Sequence, residues 1–116
     1  MTLIYAMFAG PLALVLIISA YGKITRIAAI VQNLDRTGVP HSWYPWLATA
    51  EAAGAIGLLA GIWVRPLGVA AAIGVVLYFV GAIVTHIVQR DTAGLKNPAS
   101  LLVAALATTA FGVLSL

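Results

Sequence analysis

Residues 47–64, LATAEAAGAIGLLAGIWV, form an apolar stretch of helix length that carries one acidic residue, Glu51, near its start. A helix of this length can cross the hydrocarbon core of a bilayer, so we expect Glu51 to be an ionisable group inside a membrane. A carboxylate that faces lipid costs about 3 kcal/mol on insertion scales. We therefore expect Glu51 to face the interior of a helix bundle.

Small residues follow one side of this predicted helix. They recur at intervals of four, three and four residues, at Ala50, Gly54, Gly57 and Gly61. This spacing places them on one helix face, where a neighbouring helix can approach closely. Glu51 lies beside the stripe.

The composition excludes a soluble domain. The chain has 116 residues, of which 63% are hydrophobic and only 8% are charged, whereas soluble domains carry about 25% charged residues. At about 20 residues per spanning helix, four spans and short loops use almost the whole length, which leaves no room for a soluble catalytic domain. Six Lys and Arg residues against three Asp and Glu residues give a net charge of +3, and the basic residues are too few and too scattered for a nucleic-acid surface. The lack of cysteine excludes thiol chemistry.

The hydropathy pattern predicts an all-α fold, an integral membrane four-helix bundle in one domain over residues 1–116. The spans are predicted at about residues 3–20, 47–64, 67–88 and 98–116. After the first span, residues 22–34 mix apolar and basic residues at helical spacing, which predicts an amphipathic helix in the membrane interface or a bent continuation of the first span. The short link at Arg65 and Pro66 predicts that the second and third spans are antiparallel neighbours.

Charge asymmetry predicts the orientation in the membrane. The first and third loops hold five basic residues: Lys23, Arg26, Arg36, Arg90 and Lys96. The second loop holds only Arg65. The positive-inside rule therefore places the first and third loops in the cytoplasm and both termini outside.

Candidate site residues collect on one side of the predicted bundle. Glu51 lies near the start of the second span, His86 near the end of the third and Lys23 at the end of the first. A second small or polar stripe follows the third span, at Ala71, Gly74, Tyr78, Gly81 and Thr85. The ligand-binding candidates are Glu51, His86, Lys23, Tyr78 and Thr85. These groups have the chemistry for proton transfer to a lipophilic ligand, and equally for a plain ion-pair network.

Other sites are not expected. Arg90 and Asp91 are predicted to pair locally in the third loop. Membrane haems usually need two axial ligands, and His86 is the one histidine within a predicted span, so no haem is expected. No metal site is expected either.

The order of several short motifs resembles the DoxX-like family of small membrane proteins. They are Gly22-Lys23, Ala50-Glu51 followed by Gly54, Gly57-Leu58-Leu59-Ala60-Gly61, Arg65-Pro66, and Ala82 with Thr85-His86 before Asp91. The resemblance implies a four-helix bundle in the inner membrane. Characterised relatives look like membrane subunits or partners of oxidoreductases, including thiosulfate to quinone electron transfer, and a related eukaryotic branch assists receptor assembly.

The leading hypothesis is a protein that binds a lipophilic small molecule, such as a quinone, at Glu51 and His86. It would serve as the membrane partner of an oxidoreductase, at most as a subunit of that enzyme, and it could form a homo-oligomer. The alternatives are a small proton-coupled multidrug-type transporter and a non-enzymatic membrane assembly factor.

Overall fold

A computed structural model describes residues 2–25, 31, 32, 35, 38, 40–90 and 95–116, with the backbone alone at His41 and Asn97. The described residues form four α-helices and no strand, which confirms the all-α prediction. The helices are α1 (Thr2–Thr25), α2 (Tyr44–Ala60), α3 (Arg65–Val88) and α4 (Lys96–Leu114), with a 3-10 turn at His41–Trp43 before α2.

The helix ends differ from the predicted spans. Helix α1 continues past Ala20 to Thr25, so Lys23 lies within the helix. Helix α2 ends at Ala60, and residues 61–64 form the turn into α3, where Pro66 lies in the first turn of the helix. Proline suits that position because its missing N–H needs no helical partner there. Most of the predicted amphipathic helix, with Arg26, lies outside the described residues, and so do Arg36 and Asp91.

Two helices have the length and composition of a membrane span. Helices α1 and α3 have 24 residues each and mean hydropathies of 2.3 and 2.5, which gives each a length of about 36 Å. The hydrocarbon core of a bilayer is about 30 Å thick. Residues 98–114 of α4 form a shorter apolar helix.

The four helices pack around one core made mostly of small and aliphatic side chains. Helix α1 contacts α2 and α4, and α3 contacts the same two helices. The core contains Tyr5, Ala9, Leu12, Ala13, Leu16, Ala55, Leu58, Ala72, Val75, Phe79 and Ala105. Many larger apolar side chains lie on the outside, among them Leu3, Ile56 and Leu77. The molecule is therefore apolar both inside and outside.

Glycines in α2 and at its C-terminal end allow its close approach to α3. Gly61 lies against Gly68, and a Cβ atom added at Gly61 would overlap the Cα atom of Gly68 and the hydroxyl of Tyr5. Gly57 lies against Ala71 in the same way, one turn further along. The pairing runs in opposite directions along the two helices, which confirms the predicted antiparallel neighbours and the close approach along this stripe.

Arg65 joins three parts of the chain at one end of the molecule. Its Nη1 atom donates to Ser115 Oγ at 2.5 Å, its Nη2 atom donates to Thr2 Oγ1 at 3.1 Å, and its Nε atom donates to the Gly61 carbonyl at 2.8 Å. The guanidinium also lies 4.5 Å from the centre of the Tyr5 ring. Arg65 thus links the start of α1, the α2–α3 turn and the end of α4.

The glycine contact predicts opposite effects for two glycine-to-alanine changes. Gly61→Ala should destabilise the protein by about 1–3 kcal/mol because the new methyl group overlaps the backbone of α3. A Cβ atom added at Gly81 would have no neighbour within 4 Å. Gly81→Ala should therefore be neutral or should stabilise α3 by up to about 1 kcal/mol through helix propensity. Thermal unfolding of the two variants in one detergent measures the difference. Equal unfolding temperatures would show that α2 and α3 do not touch at Gly61.

Candidate functional site

A buried ion pair connects α1 to α2. Lys23 Nζ lies 2.6 Å from Glu51 Oε1 and also donates a hydrogen bond to Ser19 Oγ at 2.7 Å. Lys23 is 7% exposed and Glu51 is 3% exposed. Because each charge is largely removed from solvent, the two ions depend on each other and on their hydrogen bonds for compensation.

The helices place these groups by simple periodicity. The buried residues of α2 recur every three or four positions, at Tyr44, Ala48, Glu51, Ala55 and Leu58, so the carboxylate belongs to the inner face of the helix. This confirms that Glu51 faces the other helices. Ser19 precedes Lys23 by four residues, which is one turn of α1, so the hydroxyl and the ammonium group meet on the same face.

A partly open cavity lies between α2 and α3 beside the ion pair, and we call it the α2–α3 groove. It has a volume of about 640 Å³. Its lining residues are Leu16, Ala50, Glu51, Ala53, Gly54, Gly57, Leu67, Ala71, Gly74, Val75, Leu77 and Tyr78. The carboxylate of Glu51 and the hydroxyl of Tyr78 are its polar groups.

Tyr78 supplies the second polar group of the groove. Its hydroxyl lies beside the Glu51 carboxylate and interacts with it as a hydrogen-bond partner. Lys23 therefore approaches Glu51 from α1, and Tyr78 approaches it from α3. The three side chains form one polar cluster in an otherwise apolar region.

The remaining candidates lie elsewhere. His86 is buried, with its Nδ1 atom 2.7 Å from the Ala82 carbonyl of its own helix. It lies eight residues beyond Tyr78, about 12 Å along α3, and does not line the groove. The Thr85 hydroxyl donates to the Gly81 carbonyl at 2.9 Å. Arg90 is exposed, and Asp91 lies outside the described residues.

Two features of the site were absent from the sequence-based prediction. Ser19 was not a candidate, although its position one turn before Lys23 is a usable signal. Gly74 was predicted only as part of a small-residue stripe. In the structure it lines the groove, and a Cβ atom added there would have no neighbour within 4 Å. No sequence pattern distinguishes a glycine that opens a groove from one that allows close helix packing.

The chemistry of the cluster favours binding of a polar group without net charge. The ammonium and carboxylate groups compensate each other, and Tyr78 provides a hydroxyl that can donate or accept a hydrogen bond. Among the residues described, no three His, Cys, Asp or Glu side chains come close enough together to hold a metal ion.

The ion pair makes a specific prediction about stability. Lys23→Met should lower the free energy of unfolding by about 3–5 kcal/mol because it leaves a buried carboxylate without its partner. The double variant Lys23→Met with Glu51→Leu should regain most of this loss, since apolar side chains of similar volume often replace a buried ion pair at little cost. Thermal unfolding of the single and double variants tests this. A Lys23→Met variant as stable as the original protein would show that the pair contributes nothing.

Comparison with known proteins identifies the family but adds no close relative. No curated protein and no solved structure matches the chain. The sequence model of the DoxX-like family matches residues 7–108, which include α2, α3, most of α1 and α4, and the whole Lys23, Glu51 and Tyr78 cluster. Because this match extends over most of the 116 residues, the chain belongs to the DoxX-like family.

Proposed function

We propose that this DoxX-like protein is an inner-membrane four-helix bundle that binds a lipophilic quinone in the α2–α3 groove and serves as the membrane partner of an oxidoreductase. The observation that carries the proposal is the buried Lys23 and Glu51 pair at the wall of an apolar groove of about 640 Å³. A pocket that is mostly apolar, with a few convergent polar groups, is the usual form of a small-molecule site.

The exposed tryptophans support insertion in a bilayer. Trp43 and Trp46 lie at the start of α2 and are 56% and 77% exposed, while Trp63 lies just after its end and is 82% exposed. Trp46 lies near the start of α2, and the helix extends a further 14 residues to Ala60, about 21 Å, before the turn that carries Trp63. Tryptophan is enriched at both membrane interfaces, and these tryptophans lie at the two ends of α2.

The apolar outer surface supports the same placement. Helices that are hydrophobic all round belong to large cores or to membranes, and many large apolar side chains of the described helices, among them Leu3, Ile56 and Leu77, are exposed. Lys23 and Arg90 lie towards one end of the helices and Arg65 lies at the other. Together with Arg26 and Arg36, which lie outside the described residues, this charge distribution favours a cytoplasmic position for the first and third loops.

The polar cluster suits a quinone head. The carbonyl oxygens of a quinone accept hydrogen bonds, and the Tyr78 hydroxyl on the groove wall can donate its one proton to such a carbonyl in place of the Glu51 carboxylate. The partnership with an oxidoreductase rests on the family resemblance.

The ion pair weighs against the transporter alternative. A proton-coupled exporter of cations needs a membrane carboxylate that substrate and proton can occupy in turn. Here Lys23 Nζ already lies 2.6 Å from that carboxylate, so a cationic substrate would have to displace a bonded ammonium group. We keep the assembly-factor role as the alternative to be tested, since it needs no occupied groove.

The proposal predicts saturable binding of decyl-benzoquinone to the purified protein in a mild detergent, measured by equilibrium dialysis. Tyr78→Phe should weaken binding about threefold to tenfold, which corresponds to the loss of one hydrogen bond. Tyr21→Phe is the matched control, because Tyr21 is exposed on α1 and outside the groove, and it should leave the affinity unchanged.

Absence of saturable binding to the original protein would contradict the quinone proposal. Equal losses in the two tyrosine variants would remove the groove from the binding site.

A further inference from the structure

We infer that the α2–α3 groove selects an uncharged amphiphile, with its head at Glu51 and Tyr78 and its chain along α3 towards Leu67, and admits it sideways past Gly74. The inference rests on the proposed function and specifies its ligand class, the orientation of the ligand and the route of entrance. A quinone with a hydrocarbon tail is one member of this class.

The distribution of polarity along the groove gives the orientation. Glu51 and Tyr78 interact with each other and therefore form one polar end. Leu67 also lines the groove, and it precedes Tyr78 by eleven residues, about 16 Å along α3. The lining between these points consists of apolar or small residues such as Gly57 and Ala71. A ligand with one polar head and a hydrocarbon chain matches this arrangement.

The charges near the groove determine the charge of the head. Glu51 is the charged residue of the lining, and its partner Lys23 compensates it at 2.6 Å. Arg65 is bonded to Ser115 and Thr2 near the other end of α2. An anionic or cationic head would therefore enter an apolar region with no counter-ion among the described groove residues, and burial of an unpaired charge is strongly unfavourable.

The exposed residues of the lining show where the groove opens. Ala50 and Ala53 of α2 and Gly74 and Leu77 of α3 line the groove and are exposed on the outside of the molecule. Gly74 has no side chain and no neighbour within 4 Å of an added Cβ atom. In a bilayer this side faces lipid, so a lipophilic compound can enter without crossing water.

A reporter in the groove tests the charge selection without assuming a quinone. The chain has no cysteine, so Ala53→Cys provides a single attachment point for a polarity-sensitive dye. The labelled protein in lipid nanodiscs is titrated with four compounds that carry a ten-carbon chain: decyl-benzoquinone, N-decylacetamide, decanoate and decyltrimethylammonium. Leu106→Cys, at an exposed position on α4, reports effects of the compounds on the membrane itself.

We expect both uncharged compounds to change the emission at Ala53→Cys saturably and the two charged compounds to bind at least tenfold more weakly. Equal or tighter binding of a charged compound, or no saturation by any compound, would overturn the inference. Saturation by N-decylacetamide without saturation by decyl-benzoquinone would support the inference while rejecting the quinone proposal.

A matched pair of glycine variants tests the position of the chain and the entrance. Gly74→Leu fills the middle of the groove, whereas Gly81→Leu adds the same side chain to the same helix outside it. A Cβ atom added at either position would have no neighbour within 4 Å. In the Ala53→Cys background, Gly74→Leu should weaken N-decylacetamide binding at least tenfold, and Gly81→Leu should change it less than twofold. Equal effects would show that the chain does not lie at Gly74.

Discussion

The ion pair between Lys23 and Glu51 is the interaction on which the site depends. It connects the end of α1 to the first half of α2, and it places two opposite charges where both are nearly removed from solvent. Buried ion pairs seldom add much stability over apolar packing, so one that interrupts an otherwise apolar region needs a reason other than stability. Its contact with Tyr78 at the groove wall suggests that reason, because the pair creates a polar position with no net charge.

The two ends of the molecule use polar residues differently. At one end, Arg65 donates to Thr2, Ser115 and the turn after α2, so its hydrogen bonds join neighbouring parts of the chain. Towards the other end, Glu51 and Tyr78 line a cavity. The glycine contact between α2 and α3 at Gly61 holds the first end closed. This difference explains why we assign a structural role to Arg65 and a ligand-binding role to the cluster of Lys23, Glu51 and Tyr78.

Much of the fold follows from the sequence because its strongest signals are local. The apolar runs predict four helices, and the small residues around Gly57 and Gly61 predict close packing of α2 on α3, which the structure confirms. The sequence predicted that the first membrane span ends near Ala20, with a bent continuation of that span as one of two alternatives for the residues that follow. The helix continues to Thr25, and this extension brings Lys23 within reach of Glu51.

The site itself was less predictable because it depends on pairings between helices. The sequence grouped His86 with Glu51 among the candidate site residues, since both lie at the same side of antiparallel spans. The register set by Gly61 and Gly68 instead brings Tyr78 to the carboxylate and leaves His86 about two turns away. A shift of one or two turns between helices cannot be read from hydropathy, and it decides which polar side chains meet.

Native mass spectrometry of the protein released from membranes in a mild detergent gives the most direct test of the groove as a binding site. The original protein should carry one lipophilic molecule per chain, identified after ejection. The double variant Lys23→Met with Glu51→Leu, which we expect to remain folded, should be bare. A bare original protein, or the same molecule on both proteins, would contradict a binding site built on the Lys23 and Glu51 pair.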